Sequence, residues 1–401
     1  MENINILKKN LNSLNLEILD IEYLELLLKD IENVDITYLP IVNTKLNYAK
    51  NSELKQNLIK DISNFLSENN PELNKFWNIN SIINNESKLS KPYTKDLAPI
   101  VIFTYNRLPT LSKLISSLKL NNESKYSELI IFSDGPKNDK SDTKKVNEVR
   151  NYLYGLSGFK EISLYESKEN KGLANSIVEG LKLVSQKHNS FIVLEDDLLV
   201  SQYFLMYMNN SLNTYKESKT VWCINGFSAN PEKLNLDKSL ENINYWTHRA
   251  SSHGWGTWSD RWNKINWSDE FLVNLIRSRK NRIRLLKGGS DLISMINLKI
   301  KNEIDSWAIK WVSNIIINDG LCLSPFYSHT THQFIIPGTH IKNKSDKLTN
   351  NLLLSNSILK FPKKIKANKE ITKSLQRNIY GPKKYERYKY FKKRVNNLFN
   401  N

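Results

Sequence analysis

Three adjacent carboxylates, Glu195-Asp196-Asp197, close the apolar run Phe191-Ile192-Val193-Leu194. A run of this kind reads as a buried strand, which puts the acids at its C-terminal tip, the edge where open α/β sheets bind ligands. Three like charges in a row repel one another, so a cation or a dense hydrogen-bond network must offset them. Oxygen-only donors suit Mg²⁺ or Mn²⁺, above all where a diphosphate supplies further ligands. Taken alone, the triplet fits a solvated acidic turn equally well.

The elements that must position these acids are visible as alternating patterns. Ile100-Val101-Ile102-Phe103 is a short apolar strand, followed by a helix from Leu108 to Leu120 with Leu111, Leu114, Ile115 and Leu118 on one face. Leu129-Ile130-Ile131-Phe132 predicts a second strand ending in Ser133-Asp134-Gly135, then come a helix over roughly 139–153 and a weaker strand at Ile162-Ser163-Leu164. A helix starts after Gly172 and leads into the Phe191–Leu194 strand. Strands alternating with helices predict an α/β fold with a mainly parallel sheet and right-handed crossovers. Residues 221–340 are aromatic-rich and are expected to extend the sheet and build the acceptor side.

Composition sets the broad class. The chain has 401 residues, 40% hydrophobic and 25% charged, as in an ordinary globular protein with a sizeable core. Cys223 and Cys322 are too few for a disulfide framework and fit a reducing compartment. Met1-Glu2-Asn3-Ile4 does not begin a secretory signal, and no apolar window is long enough for a membrane span, so the chain reads as cytoplasmic. The net charge of +17 is uneven: residues 360–401 hold 14 Lys/Arg against Glu370 and Glu386. A basic tail on a moderately basic body suggests a surface anchor rather than a nucleic-acid partner. Tyr388, Phe391, Val395 and Leu398 share one helical face beside Lys389, Lys392, Lys393 and Arg394. Such a helix suits peripheral contact with the inner face of an anionic membrane; a solvated helix, or one packed on the body, fits the same residues. Three regions are expected: a helical accessory region over 1–97, a catalytic domain over 98–345, and a basic extension over 346–401.

Four segments in order resemble GT-A glycosyltransferases: Pro99 to Arg107 their first strand and loop, Ser133-Asp134-Gly135 their second strand end, Asn170-Lys171-Gly172-Leu173-Ala174 their helix start, and Leu194-Glu195-Asp196-Asp197 their DXD-type motif. The Glu-Asp-Asp form is similar to the N-acetylglucosaminyltransferase I type, and the whole also to family 2-like bacterial glycosyltransferases. The resemblance spans roughly 98–340. It implies a GT-A fold and a metal-dependent, inverting transfer of a sugar from a nucleotide-sugar, a UDP-sugar by this likeness, to a glycan or lipid-linked acceptor in polysaccharide synthesis.

The same likeness assigns roles. Asp197 would be the direct ligand of Mn²⁺ or Mg²⁺, Asp196 would contact the ribose or a water, and Glu195 the donor sugar or its loop. Thr104 and Arg107 would meet the nucleotide, Arg107 using its planar fork on diphosphate or base oxygens; a surface helix-entry residue would look the same. Asp134 would accept from a uracil N–H or ribose hydroxyl, although an Asp-Gly turn has this sequence too. Lys171 at a helix start would favour the phosphates, or be an exposed lysine beside a cap. Asp305, just ahead of Trp307, would be the general base, with an N-cap role compatible; Glu303 and Asp260 are the fallbacks. Of three tryptophans over 255–262, Trp255 is assigned to the sugar site, and Trp258 and Trp262 to the core. His253 reads as a structural hydrogen-bonding residue. Gly338-Thr339-His340 resembles a bacterial ending in which the histidine touches phosphate or metal; His329 and His332 match no pattern.

Two other functions compete. A sugar-nucleotide nucleotidyltransferase would need a glycine-rich loop after the first strand, which Thr104-Tyr105-Asn106-Arg107 lacks. A non-catalytic sugar- or nucleic-acid-binding protein suits the basic tail but leaves the acid triplet and Asp305 without a purpose.

Overall fold

The computed structural model describes residues 60, 62–64, 96–229, 234, 244–333 and 361–381. The strands are β1 Ile100–Thr104, β2 Glu128–Ser133, β3 Glu161–Glu166, β4 Ser190–Glu195, β5 Leu198–Val200, β6 Val221–Asn225, β7 Tyr245–Thr247, β8 Trp255–Trp258, β9 Leu321–Ser324 and β10 Thr330–His332. Among the described residues the helices include α1 Leu108–Lys119, α2 Lys140–Tyr154, α3 Leu173–Lys187, α4 Phe204–Tyr215, α5 Ser259–Trp262, α6 Asp269–Arg277, α7 Arg279–Leu285, α8 Asp291–Ile300, α9 Ala308–Ile317 and α10 Lys369–Asn378.

Eight strands form one sheet in the order β3-β2-β1-β4-β8-β6-β9-β7. β3, β2, β1 and β4 are mutually parallel, β8 is antiparallel to β4 and β6, and β9 is parallel to β6. β1 is buried along its whole length and distributes its side chains by the two-residue period of a strand. Ile100 and Ile102 join one apolar layer with Leu111, Leu114, Ile115 and Leu118 of α1, Val149 and Leu153 of α2, and Phe204, Leu205 and Met208 of α4. Val101 and Phe103 face the other layer, with Ile177, Leu181 and Val184 of α3 and the buried faces of α6 to α9. This is a helix–sheet–helix sandwich, and the expected strands at its parallel half occur within one or two residues of their predicted bounds.

Strand order reverses between β1 and β4, since β2 and β3 run outward on one side and β4 opens the other. The loops leaving β1 and β4 therefore diverge around one crevice, the place where α/β sheets take ligands. A small second sheet closes that crevice. β5 pairs antiparallel with β10, which sets His332 opposite Leu198. Gly254 closes the joint: its φ is +74°, and a Cβ there would stand 2.6 Å from Thr330 Cγ2. Thr330 Oγ1 also donates to the His253 carbonyl over 2.6 Å.

The second layer is built on tryptophans. Trp255 has no exposed surface and lies 5.7 Å from Trp262, 5.4 Å from Trp307 and 5.3 Å from Trp311, centroid to centroid. The expectation that Trp255 stacks on a sugar is thus corrected: its place in β8, opposite Val193, turns the indole into the core. Trp262 is in the core as expected, and Trp258 packs on the other face, with Nε1 donating to Leu212 O.

Part of the C-terminal extension is folded onto the body. Phe361, Ile365 and Ala367 pack against the first layer, and Ile371 and Leu375 of α10 are buried with Tyr245 and Ala229. Arg249 makes a two-pronged ion pair with Asp291, at 3.2 and 2.9 Å, and stands 4.6 Å over the Tyr380 ring. The amphipathic tail segment 388–398 and nearly all of the accessory region 1–97 lie outside the described residues. Among the described residues no helix is long and apolar enough to cross a membrane. Trp255→Ala should lower unfolding stability by about 3–5 kcal/mol in urea titrations; a loss below about 1 kcal/mol would mean that the tryptophan cluster does not hold this layer.

Candidate functional site

β4 delivers the three acids to the crevice in three different environments. Asp196 is buried, 2% exposed, and its Oδ2 accepts from Thr104 Oγ1 at 2.9 Å and from the Tyr105 N–H at 3.2 Å. Arg107 bridges it to its neighbour: Nη2 is 2.8 Å from Asp196 Oδ1 and Nη1 3.1 Å from Asp197 Oδ2. Residues Thr104, Arg107, Asp196 and Asp197, which are far apart in sequence, thus form one contact network at the β1/β4 switch point. The β1 loop is fixed a second time by Asp142. Its carboxylate accepts from the Tyr105 hydroxyl, from Asn106 Nδ2 at 2.6 Å and from the Lys137 N–H at 2.7 Å.

The network leaves excess negative charge. Burial pushes the Glu195 carboxyl up to about 8, with Asp197 and Asp196 adding to the rise and Arg107 opposing it. Asp196 is raised to about 6, again chiefly by burial, with Arg107 opposing and Asp197 adding. Burial would raise Asp197 as well, but His332 and Arg107 together hold it down at about 2. One carboxylate is therefore firmly ionised while its two neighbours are held towards protonation, as expected of crowded acids lacking a second cation.

Asp197 Oδ1 has the chemistry to receive such a cation. It is buried without a hydrogen-bond partner, and His332 Nδ1 is 3.7 Å away, beyond hydrogen-bond length. His253 packs edge-on against His332 at 4.0 Å, and its Nδ1 is buried and unpartnered as well. Burial, with His332 beside it, lowers the His253 pKa to about 3, so the ring is neutral. A carboxylate oxygen suits Mn²⁺ or Mg²⁺, whereas a neutral imidazole nitrogen suits a transition metal rather than Mg²⁺. Among the described residues no three His, Cys, Asp or Glu side chains close around one point.

The remaining expected site residues divide. Asp134 is buried, and its carboxylate accepts from four chain donors: the N–H groups of Gly135, Lys171 and Gly172, at 2.9, 2.9 and 3.0 Å, and Asn170 Nδ2 at 3.2 Å. Its lone-pair sites are thereby used to hold the loop before α3 against the end of β2. Gly172 enters α3 with φ +76°, a left-handed value that favours glycine. Lys171 itself is exposed and pairs with Glu179 at 2.7 Å. Asp305 is exposed, with Lys299 Nζ 2.6 Å from its Oδ1, and it does not cap α9, whose N-cap is Trp307. Two residues on, Trp307 packs on Trp255 of β8 at 5.4 Å between ring centroids. Asp260 is at the edge opposite the acids, near Ser190, bonded to Lys219 and Arg261. His340 falls outside the described residues. His329 is a core residue: Nδ1 bonds Ser201 Oγ at 2.8 Å and the ring stacks on Tyr207.

His332 is the residue that sequence reasoning passed over. Its only signal was the alternating Thr330-Thr331-His332 stretch, whose partner strand is more than a hundred residues away.

The profile of the GNT-I family matches residues 29–285, which include the acid triplet and stop short of Asp305 and His332. The chain belongs to the GNT-I family. It is a GT-A-type glycosyltransferase that uses a nucleotide-sugar donor. The sequence matches no curated protein. Among solved structures, a mannosyltransferase from Pyrobaculum calidifontis in complex with GDP-Man and Mn²⁺ aligns with a TM-score of 0.33 at 10% identity, over 65% of this chain and 81% of that one. TarS of S. aureus aligns with a TM-score of 0.32 at 12% identity over 59% of this chain, which spans only 37% of TarS.

The charge excess has a pH signature. Glu195 is an acid raised from 4.5 to about 8 on folding, so the folded state binds more protons between those values. Stability without a bound cation must then fall as pH rises through that window, and Asp196 adds the same sign below about 6. Glu195→Gln should flatten the melting temperature above about pH 6. A variant that still falls in parallel with wild type would show that Glu195 titrates normally.

Proposed function

We propose that this glycosyltransferase moves a sugar, with inversion, from a UDP-sugar to a hydroxyl of a glycan or lipid-linked acceptor, using Mn²⁺ or Mg²⁺ beside Asp197. The observation that carries the reading is the orphaned Asp197 Oδ1 at the tip of β4, buried in a crevice with too few positive charges for its carboxylates. Asp197 and His332 would hold the ion, which when bound supplies positive charge against the leaving diphosphate. With that charge present, Arg107 need no longer neutralise both aspartates, and its guanidinium can turn to phosphate oxygens. Asp196, tied to Thr104 and the Tyr105 N–H, keeps the β1 loop at the nucleotide, and Glu195 faces the donor sugar.

Transfer requires one proton and one bond exchange. The acceptor hydroxyl gives its proton to Asp305 as its oxygen attacks the anomeric carbon from the face opposite the diphosphate. The bond from that carbon to the diphosphate oxygen breaks, and UDP leaves with the electron pair. Lys299 holds the Asp305 side chain by an ion pair until the acceptor arrives. The absence of glycine from Thr104-Tyr105-Asn106-Arg107 speaks against nucleotidyl transfer.

Calorimetry with Mn²⁺ and UDP tests the ion site. Asp197→Asn should abolish Mn²⁺-dependent UDP binding, and His332→Ala should weaken Mn²⁺ by about 10–100-fold; if both bind Mn²⁺ as wild type does, the ion lies elsewhere. Asp305→Asn should leave UDP binding intact and cut transfer by about 10²–10⁴-fold. Undiminished transfer would move the base to another group, and a product with the donor's anomeric configuration would refute inversion.

A further inference from the structure

Helix α7 carries a surface that the donor site does not use. Between residues 277 and 287 the chain has Arg277, Arg279, Lys280, Arg282, Arg284 and Lys287 and no acid. Asp319 neutralises part of this charge, at 2.7 Å from Arg284 and 3.2 Å from Lys287. Arg277, Arg279 and Lys280 have no acid within ion-pair distance among the described residues. In the midst of these cations stand Ile283, 59% exposed, and Leu286, 42% exposed. Three residues apart, they share one face, with Arg279 four residues ahead of Ile283 on the same stripe. The inward face is satisfied separately by Leu285, buried in the second apolar layer. The patch continues onto α10, where Gln376 Nε2 donates to the carbonyls of Leu286 and Lys287 at 2.7 and 3.3 Å. Lys373 and Arg377, exposed on that helix, add to the positive face.

We propose that this α7–α10 face docks on an anionic phospholipid surface. Cations ringing exposed aliphatic side chains are complementary to a bilayer interface: the guanidinium and ammonium groups meet phosphates, and the aliphatic pair enters the boundary of the acyl region. A nucleic acid would match the charge and leave Ile283 and Leu286 in water, and no aromatic ring stands among them to stack on a base. With only two apolar side chains, attachment depends mostly on charge and is reversible and salt-sensitive.

Co-sedimentation of the full chain with phosphatidylglycerol and with phosphatidylcholine vesicles tests this. Binding is expected to the anionic vesicles only. Replacing Arg279, Lys280 and Arg282 together by Ser should reduce partitioning by about a hundredfold, near fivefold per cation. Ile283→Asn with Leu286→Asn should reduce it by at least about tenfold while RNA retention is unchanged. All three residues changed to Ser and both aliphatics are at least partly solvent-facing, so melting temperature and donor hydrolysis should match wild type and report an intact fold. Equal vesicle binding by both variants would overturn the proposal by placing attachment outside this face. Loss with the serine variant but not with the aliphatic one would also overturn it, marking the face as a general polyanion binder.

Discussion

The guanidinium of Arg107 holds two carboxylates that would otherwise drive the crevice apart. It spans Asp196 and Asp197, anchoring the end of β4 to the loop that leaves β1 at the one point where the sheet order reverses. Thr104 and the Tyr105 N–H add neutral donors to the same aspartate, and Asp142 secures the β1 loop from its far side. A single cation cannot balance three acids in a site of low polarity. The imbalance falls on Glu195 and Asp196, whose pKa values rise, and on the bare oxygen of Asp197.

That arrangement depends on features some distance from the acids. The short β5–β10 pairing brings His332 to Asp197, and it closes because Gly254 adopts a left-handed conformation against Thr330. Gly254 directly precedes Trp255, which is clamped among Trp262, Trp307 and Trp311. The tryptophan cluster thus sets both the His253–His332 side of the crevice and, through Trp307, the loop carrying Asp305. Asp134 does similar work at the end of β2 by organising the loop before α3 with four hydrogen bonds. Charge is concentrated in the crevice, whereas rigidity comes from neutral packing behind it.

Much of the parallel half was legible locally. Apolar runs of four to six residues ending in polar ones marked β1, β2 and β4, and helical spacing of Leu111, Leu114, Ile115 and Leu118 marked α1. These signals need only the two periods of backbone geometry and the burial of apolar side chains. The triplet at the tip of β4 followed directly, as did Thr104 and Arg107 after β1. The antiparallel half was less legible, because its strands are short and fully buried, and their neighbours come from distant parts of the chain.

Sequence alone determined which residue types could do the chemistry and at which strand ends they stand. Tertiary structure decided which of them meet. Trp255 went to the core because the register of β8 against β4 turns it inward, a choice that alternation along β8 cannot make by itself. Asp260 was removed from the acid-bearing edge by the antiparallel sense of β8. His332 was selected by β5–β10 pairing, across a separation that no local pattern encodes. Local propensity acts over a few residues, whereas strand order and register are set by the joint burial of the whole core, so proximity between distant side chains is settled only when the chain has folded.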